Sequence, residues 1–555
     1  MEFGKLIKIT NFYMKKLQKS KSVEEDEVLY DDLKSKSEQE IGLGNYEKAL
    51  DYLYIASSLA WSNNFMWRDH DIEALLDNIG TELLPQVSPD YQASDCSSTI
   101  LFIASSLHDQ GGHSELLEKW ATYTSKDSFV ESLNLILTNS NNTPSEYDSL
   151  RKNLNGLLDR RIELSPKDRY TTRVQKLVDY IDAIEPDRVL LFIHPNDVVA
   201  ISSLARDYPD CEFIFYNHAD HTFWLAHPSI DHFIEFRKSG YQLSKTYRSL
   251  QPSGIIPLTT NIHLSEVYGK FPQIPDNKSV SVSIGSFHKI KNNGQSPYLE
   301  AVDKILSENE DHHHVFVSNH HETDLEDRYL SDTSQTRFHP IGPLDNLSKI
   351  YTESDFLIQT FPVGGGMVSI EAMAFGLPIV AKQLRFPFLS APTFLPSEYG
   401  FIAETHNDIV NYASKFINNS NDRAKAGNVL KKHFQKTYDP EVVKRNIREL
   451  LRDPDKWEYN QKIPEQTYGI ENINMNEYAS FRRKDFNPNA KLLSQVIKKH
   501  SSFSFSERLQ ILYRTYSNGE YTSRGKFIGK AIVNIVGSKY YDLSKSLHNR
   551  LSRQK

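Results

Sequence analysis

The stretch FPVGGGMVSIEAMAFGLPIVA, residues 361–381, decides how the rest of the chain is interpreted. Three consecutive glycines precede a segment with helical spacing, which ends at Gly376 and Pro378 before a short apolar run typical of a strand. A loop without side chains at the start of a helix lets a ligand approach the backbone, and the free N–H groups there favour an anion. The stretch therefore predicts an anion-binding turn, with an ordinary tight turn as the alternative.

Two side chains of the same segment extend this interpretation. Ser369 could add a hydroxyl to the anion site, and Glu371 lies two turns into the helix, where a carboxylate can accept both hydroxyls of a ribose. The order of strand DFLIQT, glycine loop, helix and strand LPIVA is typical of a unit that binds a nucleotide-sugar. The alternative for Glu371 is a side chain that faces only solvent.

Bulk composition limits the class of protein. At 555 residues the chain is too long for one hydrophobic core, and 39% hydrophobic with 25% charged residues is an ordinary globular composition. Cys96 and Cys211 are the only cysteines, which excludes a disulfide framework and indicates a reducing, cytoplasmic setting. No apolar run reaches the length of a membrane span, and the first residues do not form a signal peptide.

The pattern along the chain predicts four regions. Residues 1–95 are expected to be helical, as a plain helical pair rather than a repeat array. Residues 96–272 alternate strands, namely STILFIASSL, DRVLLFIHP, CEFIFYNHA and DHFIEF, with helices, and residues 273–455 repeat this pattern with SVSVSIGSF, HHHVFVSN, TRFHPIG, DFLIQT and LPIVA. The fold class is therefore α/β, with two Rossmann-like, doubly wound domains facing a cleft that holds the ligand. Residues 456–555 form a basic C-terminal helical extension.

The run EAMAFGLPIV resembles the E-A-M-A-x-G-x-P-V-V motif of GT-B glycosyltransferases, and IGSFHKIKN resembles the first strand-loop of their C-terminal domain. The resemblance covers about residues 96–455. Val363 stands where family-4-like enzymes carry a Glu, whereas O-GlcNAc-transferase-like and cytoplasmic protein N-glucosyltransferase-like enzymes lack that Glu. These enzymes also have an aromatic-Lys-Ile element similar to residues 287–290 and a helical region in front. The resemblance implies transfer of a sugar from a nucleotide-sugar, UDP-linked, without a metal or other cofactor.

The resemblance also implies which residues bind the donor. Lys289 matches the transferase-like element and Lys291 the family-4 spacing, and one of the two would meet the diphosphate, since side chains that alternate on a strand end point to opposite sides. Both could also be plain surface lysines. His339 lies in a stretch, residues 337–342, whose backbone usually contacts the base in this fold. The full set of predicted donor residues is Ser286, Lys289, Lys291, His339, Gly364, Gly365, Gly366, Met367, Val368, Ser369 and Glu371.

The first α/β half is expected to bind the acceptor and supply a base. Gly111 and Gly112, in a glycine loop at a helix start, are predicted acceptor contacts, and His113 follows them. A histidine titrates near neutrality, so His113 is a candidate base, although an ordinary polar helix-start residue is equally compatible. The stretch YNHADHTFWLAHPSIDHF, residues 216–233, offers two more candidate bases and two acceptor contacts. The bases are His218 and Asp220; the contacts are His221 and Trp224, whose ring could stack on a sugar.

Two rival interpretations belong to other classes of protein. The spacing of His218 and His221, together with Asp220 and His227, could hold zinc in a hydrolase, although this would leave the glycine-loop motif unexplained. A non-catalytic, glycosyltransferase-like partner of an active enzyme is the second rival.

The charge of the chain is asymmetric. Residues 482–555 carry 16 Lys and Arg against 4 Asp and Glu, a net charge of +12 in a chain whose total is −8. Residues 524–551 also have an amphipathic pattern, so the tail could lie on an anionic membrane surface and make the protein peripheral on the inner face, or it could pack on the body. Nucleic acid is not predicted as a partner, because no binding module accompanies the charge. The acceptor is expected to be a glycan, a lipid-linked precursor or a protein.

Overall fold

The computed structural model describes most of the chain. The described residues are 23–84, 98–108, 112–140, 148–260, 274–275, 277–291, 294–344, 347–457 and 470–486. Within these ranges, no helix has the length and apolar character that a membrane crossing requires. Most of the basic tail, residues 487–555, lies outside the described residues, and so does its predicted amphipathic helix.

The first α/β unit contains a seven-stranded parallel sheet in the order β3-β2-β1-β4-β5-β6-β7. Its strands are β1 (Ser98–Ala104), β2 (Val130–Leu137), β3 (Arg160–Glu163), β4 (Arg188–Phe192), β5 (Glu212–Asn217), β6 (His232–Glu235) and β7 (Gly254–Ile255). Its helices are α4 (Gly112–Thr124), α5 (Asp148–Asn155), α6 (Tyr170–Ile184), α7 (Val198–Ser203) and α8 (Lys238–Tyr247). Strands β2, β3 and β7 are absent from the sequence-based prediction; in β2, Glu131, Ser132 and Asn134 interrupt the apolar pattern.

Three helices precede this sheet and share its core. They are α1 (Val23–Gly42), α2 (Tyr46–Asn63) and α3 (His70–Leu83), one more than the predicted pair. On β1, Leu101 and Ile103 pack in the cluster that contains these helices, whereas Ile100 and Phe102 face the opposite cluster, as the two-residue period of a strand requires. A Cβ atom at Gly80 of α3 would overlap a carbonyl oxygen of α7. The N-terminal helices therefore pack on α6 and α7, two helices of the first unit that belong to the same hydrophobic cluster.

The second α/β unit has a six-stranded parallel sheet in the order β10-β9-β8-β11-β12-β13. Its strands are β8 (Ser279–Ile284), β9 (His312–Val317), β10 (Phe338–Ile341), β11 (Phe356–Ile358), β12 (Ile379–Lys382) and β13 (Ile402–Ala403). Its helices are α9 (Pro297–Glu308), α10 (Thr323–Tyr329), α11 (Asp332–Gln335), α12 (Ser348–Glu353), α13 (Gly366–Phe375), α14 (His406–Asn418), α15 (Ser420–Thr437) and α16 (Pro440–Arg452). The five strands predicted for this half are all present, and β13 is the one that the sequence pattern missed.

The described part of the C-terminal extension is packed between the two units. Helix α17 (Met475–Phe486) places Tyr478, which is fully buried, in a cluster with Trp67 of the N-terminal region and Phe388 of the second unit. The Tyr478 and Trp67 rings are stacked with centroids 5.6 Å apart, and the Tyr478 hydroxyl donates to the His221 carbonyl at 2.7 Å. The beginning of the extension is thus part of the folded body, because its aromatic side chains find partners far away in sequence.

Candidate functional site

The glycine loop, residues 364–366, connects β11 to α13 as the sequence predicts. Helix α13 begins at Gly366, with Gly365 as its N-cap and no side chain capping it, so the first N–H groups of the helix are available to a ligand. The helix ends at Gly376, whose φ of 69° is the left-handed conformation that glycine adopts without strain. The loop is therefore a helix N-terminus of the kind that binds anions.

Glycine is needed in this loop because other groups approach the backbone closely. A Cβ atom at Gly366 would lie 2.6 Å from Cζ of Phe394, and one at Gly364 would lie 3.0 Å from Nε2 of Gln359. The N–H of Gly364 donates to the carbonyl of Leu389 at 2.8 Å. The path of the loop is thus fixed by its neighbours rather than free.

Lys289 adds a positive charge to the helix start. Its Nζ lies 3.8 Å from the position that a Cβ atom at Gly365 would take, and its carbonyl accepts a hydrogen bond from the N–H of Val363 at 3.2 Å. Burial lowers the pKa of Lys289, because a desolvated ammonium loses hydration. In the described part of the chain no carboxylate pairs with it. A negatively charged ligand at the glycine loop would supply the missing partner.

Lys291 lies in a different environment. Its ammonium pairs with Glu322 and lies 5.5 Å from the centroid of the Phe287 ring. The two lysines separate because residues Phe287–Ile290 form a 3₁₀ turn with Lys291 as its C-cap, not because of alternation along a strand. Of the two predicted diphosphate ligands, the structure leaves Lys289 available and gives Lys291 a carboxylate partner.

Ser369 and Glu371 differ in how they present their oxygens. The Ser369 side chain is fully buried; its hydroxyl donates to the Gly365 carbonyl at 3.0 Å and accepts from Nε2 of Gln359 at 2.8 Å, so it braces the loop from inside instead of reaching a ligand. Glu371 is half-buried and accepts from the Tyr351 hydroxyl at 2.8 Å. Burial raises the pKa of Glu371, and the Tyr351 hydrogen bond partly opposes this.

The other predicted donor residues fall into two groups. Ser286, Met367 and Val368 are half-buried beside the glycine loop and Lys289. His339 lies instead against His313, with Nδ1 of His313 and Nε2 of His339 at 2.9 Å and the rings stacked. Because His313 is the second residue of β9, this contact is near the amino-terminal end of the sheet. The His339 side chain therefore points to His313, and the contact of the backbone of residues 337–342 with the base stays a prediction.

Two of the predicted bases, His113 and His218, meet at the carboxyl edge of the first sheet. Their ring centroids are 4.2 Å apart, and His194 lies 5.3 Å from His113. Nε2 of His113 donates to the carbonyl of Phe192, the last residue of β4, at 2.7 Å, which leaves Nδ1 as the basic atom. Burial lowers the pKa of His113 to about 4 and holds that of His218 well below its ordinary value. Both rings are therefore neutral at pH 7 and can accept a proton.

Asp220, the third predicted base, is engaged elsewhere. It is fully buried, and its two carboxylate oxygens accept from Nε and Nη2 of Arg237 at 2.6 and 2.7 Å. Burial alone would raise the pKa of Asp220, but the charge and hydrogen bonds of Arg237 lower it well below its ordinary value. A general base needs a free lone pair and access to the acceptor. The prediction that Asp220 acts as a base is therefore wrong.

The predicted acceptor contacts are divided as well. Trp224 is 1% exposed and stacks on Phe215, with centroids 4.6 Å apart, so it is a core residue and cannot stack on a sugar. His221 is partly exposed beside Asp220, with Nδ1 and Oδ1 at 3.4 Å. Gly112 is exposed at the first residue of α4, and Gly111 lies outside the described residues.

The proposed zinc ligands do not converge. His218 contacts His113, Asp220 binds Arg237, and Nε2 of His227 lies 3.0 Å from a carboxylate oxygen of Asp77. Over the described ranges, the one group of three His and carboxylate side chains that lie close enough to share a metal consists of Glu212, His232 and Asp455, at the opposite, amino-terminal edge of the first sheet. Arg188 forms an ion pair with Glu212 there, at 3.0 Å. The zinc-hydrolase alternative is therefore wrong in its choice of ligands.

Sequence reasoning missed a groove beside the glycine loop. It has a volume of about 860 Å³ and lies between the second unit and α17. Its lining consists of Pro362, Leu384, Arg385, Phe386, Leu389, Asn474, Asn476, Glu477, Ser480 and Phe481. Pro362 immediately precedes the residue whose N–H binds Lys289. The groove requires α17 to fold back onto the body, which no local pattern indicates.

Comparisons with known proteins identify the fold of the chain. A glycosyltransferase from Rickettsia africae has a TM-score of 0.50 at 13% identity, over 64% of this chain and 99% of its own. A mutant O-GlcNAc transferase from Thermobaculum terrenum has a TM-score of 0.47 at 13% identity, over 76% of this chain and 83% of its own. No curated protein matches the chain. The two facing parallel-sheet units are the GT-B fold, as the sequence predicts.

A match to a protein-family model lies in the second unit. Residues 278–419 match the family model described as glycosyl transferases group 1. These residues include Lys289 and the whole glycine loop, so the matched region also contains the candidate anion site. The protein is therefore a glycosyltransferase, and the sequence-based prediction of an enzyme of this class is confirmed.

Proposed function

We propose that the protein transfers a sugar from a UDP-linked nucleotide-sugar to a glycan, lipid-linked or protein acceptor, without a metal. The observation that carries the proposal is the ammonium of Lys289 beside the uncapped start of α13, half-buried and without a carboxylate partner within the described ranges. A diphosphate would bind the free N–H groups of the helix and the ammonium at the same time.

The same contacts explain how the chain would promote transfer. An acceptor oxygen or nitrogen attacks the anomeric carbon while the bond from that carbon to the diphosphate oxygen breaks, and the diphosphate leaves with the electron pair. The ammonium of Lys289 and the helix N-terminus stabilise the charge that develops there, which is the largest contribution that a fixed site makes. His113, through Nδ1, or its neighbour His218 takes the proton of the acceptor. Val363 in place of a Glu favours inversion at that carbon.

The groove supports a saccharide as the acceptor. It combines the rings of Phe386 and Phe481 with the amides of Asn474 and Asn476, and sugars bind to such mixtures of apolar faces and planar polar groups. It also borders the glycine loop through Pro362. The chemical class of the acceptor is tested with radiolabelled UDP-sugars. Label in a lipid-extractable or polysaccharide fraction fits a glycan acceptor, whereas label in protein identifies a protein acceptor.

The donor proposal is tested by thermal unfolding in the presence of nucleotides, because a ligand that binds only the native state raises the melting temperature. We expect UDP and one or more UDP-sugars to raise it in the wild type in the presence of EDTA. Lys289→Met should lose most of this shift, and Lys291→Met, whose residue already has Glu322 as a partner, should keep it. A wild type that responds to no UDP compound contradicts the proposal.

A further inference from the structure

Asp220 and Arg237 form a buried ion pair at the carboxyl edge of the first sheet. Asp220 lies in the loop after β5 and Arg237 is the second residue after β6, and the side chains are 0% and 7% exposed. Their two hydrogen bonds, at 2.6 and 2.7 Å, use two nitrogens of the guanidinium against two carboxylate oxygens. A planar fork of this kind fixes orientation as well as distance. The guanidinium of Arg237 is therefore held in one place.

The same guanidinium also binds the second unit. Its Nη2 donates to the carbonyl of Phe388 at 2.6 Å, its Nη1 donates to the Thr393 hydroxyl at 3.4 Å, and its carbon lies 5.1 Å from the centroid of the Phe394 ring. All three partners belong to residues 387–394, named here the 387–394 segment. Arg237 thus joins the first sheet to one short segment of the second unit.

The 387–394 segment is the wall of the glycine loop. Leu389 accepts the hydrogen bond from the N–H of Gly364 at 2.8 Å. A Cβ atom at Gly364 would lie 3.1 Å from the N of Ala391, and one at Gly366 would lie 2.6 Å from the ring of Phe394. A movement of this segment would therefore change the position of the helix N–H groups that face the ligand.

We infer that the Asp220–Arg237 pair is a positioning unit, which holds the 387–394 segment and through it the glycine loop in the geometry that binds the donor diphosphate. The inference rests on the proposed function for the identity of the ligand. The pair touches neither the reacting atoms nor the ligand, so its role differs from that of Lys289. Because Asp220 follows His218 by two residues, the same pair fixes the candidate base relative to the loop.

Two substitutions separate the parts of this unit. Asp220→Asn removes the carboxylate charge that orients Arg237, and Arg237→Lys keeps a positive charge for Asp220. A lysine ammonium has three donors at one point and cannot reproduce the fork that reaches Asp220 and the Phe388 carbonyl together. Glu73→Gln is the matched control, since Glu73 is 4% exposed and bound to Arg68 at 2.7 Å without touching the 387–394 segment.

The test is amide hydrogen exchange measured by mass spectrometry on the full chain without ligand, followed by titration with UDP. We expect Arg237→Lys to speed exchange in peptides that cover residues 361–369 and 387–394, and to weaken UDP binding roughly tenfold or more, because the guanidinium hydrogen bonds that hold the 387–394 segment are lost while the positive charge stays. Glu73→Gln should change neither reading. We also expect Asp220→Glu to bind UDP no more tightly than Asp220→Asn. Gly240 and Glu235 pack closely around Asp220 and leave no room for a longer side chain.

Each outcome decides the inference. Faster exchange in these two regions of Arg237→Lys, absent from Glu73→Gln, supports it. Equal exchange in the two variants overturns it, whatever their stability. If Asp220→Asn does not fold, Arg237→Lys still gives the answer. If the wild type does not bind UDP, the proposed function fails, and the exchange comparison still decides whether the pair positions the loop.

Discussion

Replacing His314 by Gln should change the dependence of stability on pH by an amount that the structure defines. His314 lies on β9 and is 1% exposed, with Nδ1 bound to the Ser281 hydroxyl at 2.7 Å and Nε2 to the Tyr298 hydroxyl at 2.8 Å. Burial lowers the pKa of His314 to about 3. The imidazole is therefore neutral in the native state at any pH well above 3, and a neutral amide is a fair replacement for it.

The magnitude follows from proton linkage. In the unfolded chain a histidine has a pKa near 6.5 and takes up a proton as the pH falls, whereas native His314 does not, so the unfolded state is favoured in acid. From about pH 7 to about pH 5 this costs about 1.9 kcal/mol of the free energy of unfolding for one such residue. The stability that the neutral ring contributes is present above about pH 6.5 and is lost as the pH falls towards the native pKa.

The assay is urea unfolding followed by circular dichroism at pH 7 and pH 5 and at constant ionic strength. His314→Gln loses hydrogen bonds and should be less stable than the wild type at pH 7, by about 1–3 kcal/mol. That difference should shrink by about 1.9 kcal/mol at pH 5, because the variant no longer takes up the proton on unfolding. The control is His320→Gln, whose ring is exposed. A difference between wild type and His314→Gln that is the same at both pH values would refute the reasoning.

Three further predictions concern the site itself. Lys289→Met should lower kcat/KM for sugar transfer by roughly 10²–10³, the cost of removing one preorganised group from a developing charge, and Lys291→Met should remain close to wild type. Gly366→Ala should weaken the UDP-induced thermal shift and destabilise the fold by about 1–3 kcal/mol, because its methyl group meets the Phe394 ring; an unchanged shift contradicts the packing. With His113 as the base, kcat/KM should stay constant from pH 7 to pH 5 and fall only near the His113 pKa of about 4. An acid limb near 6.5 in that pH profile assigns the role of base to another group.

The parts of the site that could be predicted are those whose chemistry is local. Three glycines before a helical pattern predict where the candidate anion site lies and that its donors are backbone N–H groups, because the conformation of that turn depends on neighbours in sequence. The glycines at both ends also predict where α13 begins, at Gly366, and where it ends, at Gly376. Pairing His113 with His218 was also within reach, because residues that follow parallel strands meet at one edge of the sheet.

The parts that failed depend on distant partners. The residues around Asp220 in sequence are compatible with a general base. Its ion pair with Arg237 and its complete burial, which exclude that role, are visible only in the structure. The sequence allows the Trp224 ring to stack on a sugar, but in the structure Phe215 and the surrounding core enclose the ring. The sequence alone does not show which of Lys289 and Lys291 is available to a ligand. The tertiary fold brings Glu322 near Lys291, and the two side chains form an ion pair. Burial and charge pairing are properties of the assembled core, and a single sequence does not display them.

The shared core of the N-terminal helices and the first sheet has a consequence for how this enzyme can be divided. If α1, α2 and α3 were removed, the apolar surface of α6 and α7 that packs against α2 and α3 would face water. A protein trimmed to the two nucleotide-binding-like halves would carry an open hydrophobic face and should aggregate during expression.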